Sequence, residues 1–125
     1  MTLLKRLLLV CALPANYTHE TLHAVAAAPW AASLGVVVEP RPGRCRAQIQ
    51  WAGEVGRLVR LWTALAPAVG GLVALSVAIA TGLIGLAPPA TVTELATLAV
   101  LAGYAALSFT PSVADLKQAR GELDA

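Results

Sequence analysis

The hydrophobic period of this chain changes several times, and each change predicts a different element. Lys5-Arg6 is followed by Leu7-Leu8-Leu9-Val10-Cys11-Ala12-Leu13. The pattern resembles the opening of a signal peptide, but the apolar run is short, Pro14 follows it, and no clean small-x-small cleavage site appears. The first turns of a membrane-inserted or interfacial helix describe it better. From Asn16 the pattern becomes helical, with Asn16 or Thr18 as N-cap, and Pro29 ends it because the residue before a proline avoids helical angles.

The period then drops to two. Leu34, Val36 and Val38 alternate with Ser33, Gly35, Val37 and Glu39, and Cys45, Ala47, Ile49 and Trp51 alternate with Arg44, Arg46, Gln48 and Gln50. Glu39-Pro40-Arg41-Pro42-Gly43 between them is a strong turn signal, so 33–51 is predicted to be a β-hairpin with one apolar and one polar face. Such a hairpin can be an edge strand that holds a substrate segment extended, or a membrane-surface flap with no substrate role.

Two long apolar runs follow. Residues 61–87 carry no charge, and about 20 residues suffice to cross a hydrocarbon core. Pro67, Gly70 and Gly71 lie inside this run, where a proline can kink the helix and small residues permit close helix contact. After Pro88-Pro89, residues 92–110 form a second predicted span with Gly103 in its middle. The tail, 111–125, holds a short predicted surface helix over 114–123.

Composition agrees with that pattern. Hydrophobic residues make up 58% of the chain and charged residues 13%, with a mean hydropathy of +0.71. Soluble domains average about 45–50% and 25%. The expected fold is therefore a mainly α membrane protein: a single domain over 1–125 with an N-terminal and motif helix (1–29), a hairpin, two transmembrane helices and a short C-terminal helix. Its lipid partner is the cell membrane. Arg41, Arg44, Arg46, Arg57 and Arg60 precede the first span and Lys117 and Arg120 follow the second, while the connecting loop has no Lys or Arg. The positive-inside rule then puts the hairpin and the C-terminus in the cytoplasm. A net charge of +2, without aromatic-basic interleaving, gives no case for nucleic acid. Cys11 and Cys45 lack the paired spacing of a structural zinc site.

The candidate chemistry lies in His19-Glu20-Thr21-Leu22-His23, which uses both histidines of the chain. Positions i and i+4 share a helix face, so two imidazoles can converge on one Zn²⁺, with Glu20 as general base toward water. A bland alternative is two hydrogen-bonded histidines in a helix. A catalytic zinc wants a third protein ligand. Glu39, Glu54, Glu94, Asp115, Glu122, Asp124 or a cysteine remain for it. Asp115 is favoured, because two spans return it to the hairpin side and it follows a Pro-Ser pair at the membrane boundary. As a plain alternative, it is an N-terminal charge on the short surface helix.

The order of these features resembles the site-2-protease type of membrane zinc metalloprotease, and in particular its small zincin-peptidase relatives. The resemblance rests on His19-Glu20-x-x-His23 in an early helix, a hairpin, a span opening Ala66-Pro67-Ala68-Val69-Gly70, and Pro111-Ser112-x-x-Asp115 after the last span. Two features depart from it: the Asn of the family's second motif is missing around Gly70-Gly71, and Asp115-Leu116 stands where the family has Asp-Gly. It implies a zinc peptidase with His19, His23 and Asp115 as ligands and Glu20 as catalytic base, acting on a membrane or membrane-proximal peptide. The rivals are a zinc hydrolase of a non-peptide substrate and a non-catalytic membrane scaffold or partner subunit.

Overall fold

The helix that carries the motif, α2 (Leu13–Ala27), stands at the centre of the molecule in the computed structural model, which describes residues 1–85 and 87–121. It packs against strands β1 (Ala31–Val38) and β2 (Cys45–Trp51) and against helices α3 (Arg57–Ala80) and α4 (Val92–Phe109). Helix α1 (Leu3–Cys11) precedes it and α5 (Val113–Ala119) packs on α3. Ala15, Ala24, Ala26 and Ala27 form its buried face, and small side chains there let neighbouring backbones close in.

Helix α2 begins earlier than its polar residues predict. Neither Asn16 nor Thr18 caps it. Pro14 sits in the first turn, where its missing N–H would have had no partner in any case. Asn16 instead donates through Nδ2 to the Gly43 carbonyl at 2.6 Å, tying the hairpin turn to the helix. Gly43 has φ +72°, and a Cβ there would run into the carbonyl oxygen of Leu9. Both its angle and the approach of α1 therefore require glycine. Helix α1 itself is capped by Thr2 and buries no residue.

The hairpin forms where the period-two pattern puts it. The strands are antiparallel with Leu34 opposite Ile49 and Val36 opposite Ala47, and the Glu39 amide closes the turn onto the Arg44 carbonyl at 2.9 Å. A 3₁₀ turn, Ala28–Trp30, carries Pro29 and connects α2 to β1.

The helix limits differ from the expected spans. Helix α3 starts at Arg57, not 61, because arginine ends an apolar run without lowering helix propensity. It ends at Ala80, well short of 87, where Gly82 turns the chain with φ +72°. Leu86 lies outside the described residues. Helix α4 starts with a Thr91–Glu94 capping box and ends one residue before 110, ahead of Pro111. Helix α5 is shorter than 114–123, stopping before Gly121 at φ +77°; Glu122 and Asp124 lie outside the described residues.

Glycines explain how closely the helices pack. Gly70 faces Leu22 of α2, where a Cβ would lie 3.1 Å from a leucine methyl, and a Cβ at Gly71 would lie 2.6 Å from Phe109 Cβ. A Cβ at Gly103, by contrast, would meet no other element within 4 Å among the described residues. Tyr104 of α4 meets the Thr18 hydroxyl of α2 at 2.8 Å. Two helices, those starting at Arg57 and Val92, are long and apolar enough to cross a membrane. Only 22% and 6% of their most apolar stretches are buried, whereas the core helix of a soluble protein would be mostly covered.

Candidate metal centre

His19 and His23 project from one face of α2 and are 7% and 6% exposed. Their rings meet edge to face with centroids 4.9 Å apart. Asp115 reaches them from the first turn of α5, itself 7% exposed. His19 Nε2 lies 3.1 Å from Asp115 Oδ2, and His23 Nε2 lies 3.0 Å from Oδ1. The two Nε2 atoms are 3.2 Å apart.

What turns these atoms inward is on the other side of each ring. His23 Nδ1 lies 2.7 Å from the Thr63 carbonyl and His19 Nδ1 lies 3.0 Å from the Ser108 carbonyl. A carbonyl only accepts, so both Nδ1 atoms carry the proton and both Nε2 atoms present a lone pair to the centre. Both carbonyls are free for this purpose because of prolines. The usual helical partner of Thr63 would be the N–H of residue 67, which is Pro67 and has none. Ser108 is in the last turn of α4; Pro111 ends that helix, and the Ser112 amide is already given to Asp115 Oδ2 at 2.6 Å.

Asp115 has two roles in the local structure. It is the acid of the α5 capping box with Ser112, and it faces the two histidines. The cap holds the carboxylate at a fixed angle to the helix, so the alternative role weighed from sequence coexists with the site.

Two lone pairs and a carboxylate converge with no donor between them, an arrangement that a cation or a shared proton must relieve. The group His19, His23 and Asp115 can hold a metal ion. Burial disfavours charge on His23, yet Asp115, the Thr63 carbonyl and Glu20 outweigh it and raise its pKa above the ordinary 6.5.

Glu20 does not join the triad. Its Oε2 accepts the Ala47 amide of β2 at 2.7 Å. It lines a cleft of about 670 Å³ together with His23, Thr63, Asp115 and the β2 residues 46–50. A second cleft of about 690 Å³ shares Glu20 and Ser112 with the first and is bounded by His19, Gly43–Cys45 and the end of α4. The other candidate ligands are elsewhere. Glu94 is exposed and accepts the Ala90 and Thr91 amides in its own cap. Cys45 edges the second cleft, but burial and then the charges of Glu20 and Glu39 push its thiol up, against thiolate ligation. Cys11 is exposed on α1.

Sequence reasoning missed Thr63 and Ser108, which act through their carbonyls and whose buried hydroxyls have no partner among the described residues. The signal available for Thr63 was a proline four residues later. No protein-family model, curated protein or solved structure matches this chain.

Proposed function

We propose that this chain is a membrane-embedded zinc metallopeptidase of the site-2-protease type, acting on membrane or membrane-proximal polypeptides. The observation that carries the reading is the convergence of two imidazole lone pairs and a carboxylate at 3.0–3.2 Å, with Glu20 beside them in an open cleft. The edges of a zinc tetrahedron with ligand bonds of 2.0–2.1 Å are roughly 3.3–3.4 Å, so a small outward shift of the three groups seats the ion. Two histidines and one carboxylate are a known catalytic zinc set.

Bound there, zinc would lower the pKa of a water molecule to about 7 and polarise a scissile carbonyl. Glu20 would then serve as the base toward that water and as the acid toward the leaving amine. The Thr63 and Ser108 carbonyls fix the tautomer and orientation of the two rings. The Ala47 amide orients Glu20 and marks the strand edge beside which an extended segment can lie.

Helices α3 and α4 are the membrane spans in this reading, because their apolar surface has no other cover among the described residues. The arginines of the hairpin and Lys117 then lie on the cytoplasmic face of the cell membrane. Proteolysis of an unfolded reporter by detergent-purified, zinc-loaded protein tests the activity. Glu20→Gln should lower the rate about 10²–10⁴-fold while zinc content stays unchanged.

A further inference from the structure

We propose that the groove along the free edge of β2 selects an extended segment with an acidic side chain, positioned by Arg46, next to an apolar stretch. The inference rests on the peptidase reading and adds the chemistry of the substrate. The sheet has two strands, so β2 keeps one edge unpaired. The Ala47 amide points away from β1 and toward Glu20, and by the period of a strand Cys45 and Ile49 turn their backbone groups to the same side.

The two clefts flank that edge in succession. Residues 43–45 border one and 46–50 border the other, and both touch Glu20 and Ser112. A polypeptide lying along β2 therefore passes the metal triad with a part in each cleft. The two parts differ in chemistry. The cleft toward α4 has an apolar wall of Ala106 and Leu107, with Asn16, Arg44 and Thr110 at its borders. The cleft toward α5 is walled by Arg46, Gln48, Gln50 and Gln118.

The charges are equally uneven. Outside the triad, the titratable groups lining the two clefts are Arg44, Cys45, Arg46 and Glu20. Arg44 and Arg46 have no ion pair among the described residues. Arg44 borders the cleft toward α4 and Arg46 the cleft toward α5, where the Glu20 carboxylate is already bonded to the Ala47 amide and the Asp115 carboxylate to the histidines and the Ser112 amide. Arg46 has no such partner among the described residues, and a guanidinium binds a carboxylate through a two-pronged hydrogen bond. Arg46 lies on the exposed face of β2, so its preference is a modest one that salt weakens.

The test uses synthetic peptides with an apolar stretch followed, at successive positions, by Asp, Gln or Lys. Binding to metal-free Glu20→Gln full-length protein is read by fluorescence anisotropy, and cleavage by zinc-loaded wild type by kcat/KM. The Asp peptide should exceed the Lys peptide about tenfold in both at low salt, and the gap should close at high salt. Arg46→Glu should invert the preference. Arg41→Glu makes the same charge change in the hairpin turn without lining either cleft, and should leave it unchanged. Equal effects of the two variants, or no preference in wild type, would overturn the proposal, as would binding of neither peptide. A change in affinity for anionic vesicles without a change in peptide choice would assign Arg46 to lipid instead. Charge-selective binding with no cleavage by any form would leave this proposal standing and remove the peptidase reading. Cleavage without charge selection would do the reverse.

Discussion

His23 holds the carbonyl of Thr63 at 2.7 Å, and it can do so because Pro67, four residues along α3, has no N–H to compete for that oxygen. A residue that weakens a helix thus supplies the acceptor that orients a candidate metal ligand. Pro67→Ala should restore the helical hydrogen bond and draw the Thr63 carbonyl away from the ring. Losing such an outer partner commonly lowers metal affinity about 10–100-fold. A chelator competition titration should show that loss in a variant whose α3 is no less stable than before.

The two capping-box acids separate a structural role from a ligand role. Glu94 and Asp115 both close the first turn of a helix, but only Asp115 faces the histidines. Asp115→Asn should abolish zinc binding. Glu94→Gln should leave it intact and cost only part of a cap, about 1 kcal/mol or less. Metal analysis of both variants beside thermal unfolding in detergent distinguishes the two effects.

Much of this arrangement is legible in the sequence, for identifiable reasons. The H-E-x-x-H spacing states its own geometry, because i and i+4 fall on one helix face whatever surrounds them. The alternation around Glu39-Pro40-Arg41-Pro42-Gly43 fixes the hairpin for the same local reason. Asp115 is 92 residues from His23, and only the order of the two apolar runs suggests that they meet. Helix limits are less legible: charge at Arg57 and Arg60 ends the apolar run but not the helix, and Gly82 stops α3 inside a run that hydropathy alone continues. The outer partners of the histidines are least legible, since a backbone carbonyl carries no side-chain signature.

Glycine positions that look alike in sequence should behave differently. A Cβ at Gly71 would sit 2.6 Å from Phe109 Cβ, so Gly71→Ala must push α3 and α4 apart and should destabilise the protein by about 1–3 kcal/mol. Gly103→Ala meets no other element within 4 Å among the described residues and should be neutral or slightly stabilising through helix propensity. Unfolding midpoints of the two variants in the same detergent check this.

Metal binding should depend on pH through His23. Its pKa in the metal-free fold is raised above 6.5, so the protonated ring stabilises that fold fully below pH 6.5 and the contribution fades as pH rises through the raised value. Zinc requires the neutral ring. Apparent zinc affinity should therefore increase as pH rises through that raised value, with about one proton released per ion below it. Calorimetry in two buffers of different ionisation enthalpy measures that proton.

The central claim is that His19, His23 and Asp115 form one zinc site, and the metal content of purified full-length protein tests it most directly. The account predicts about one zinc per chain in the wild type, lost on His19→Ala, His23→Ala and Asp115→Ala and retained in Glu20→Gln. A folded wild type that takes up no zinc when supplied with it, or that carries iron in its place, would contradict it.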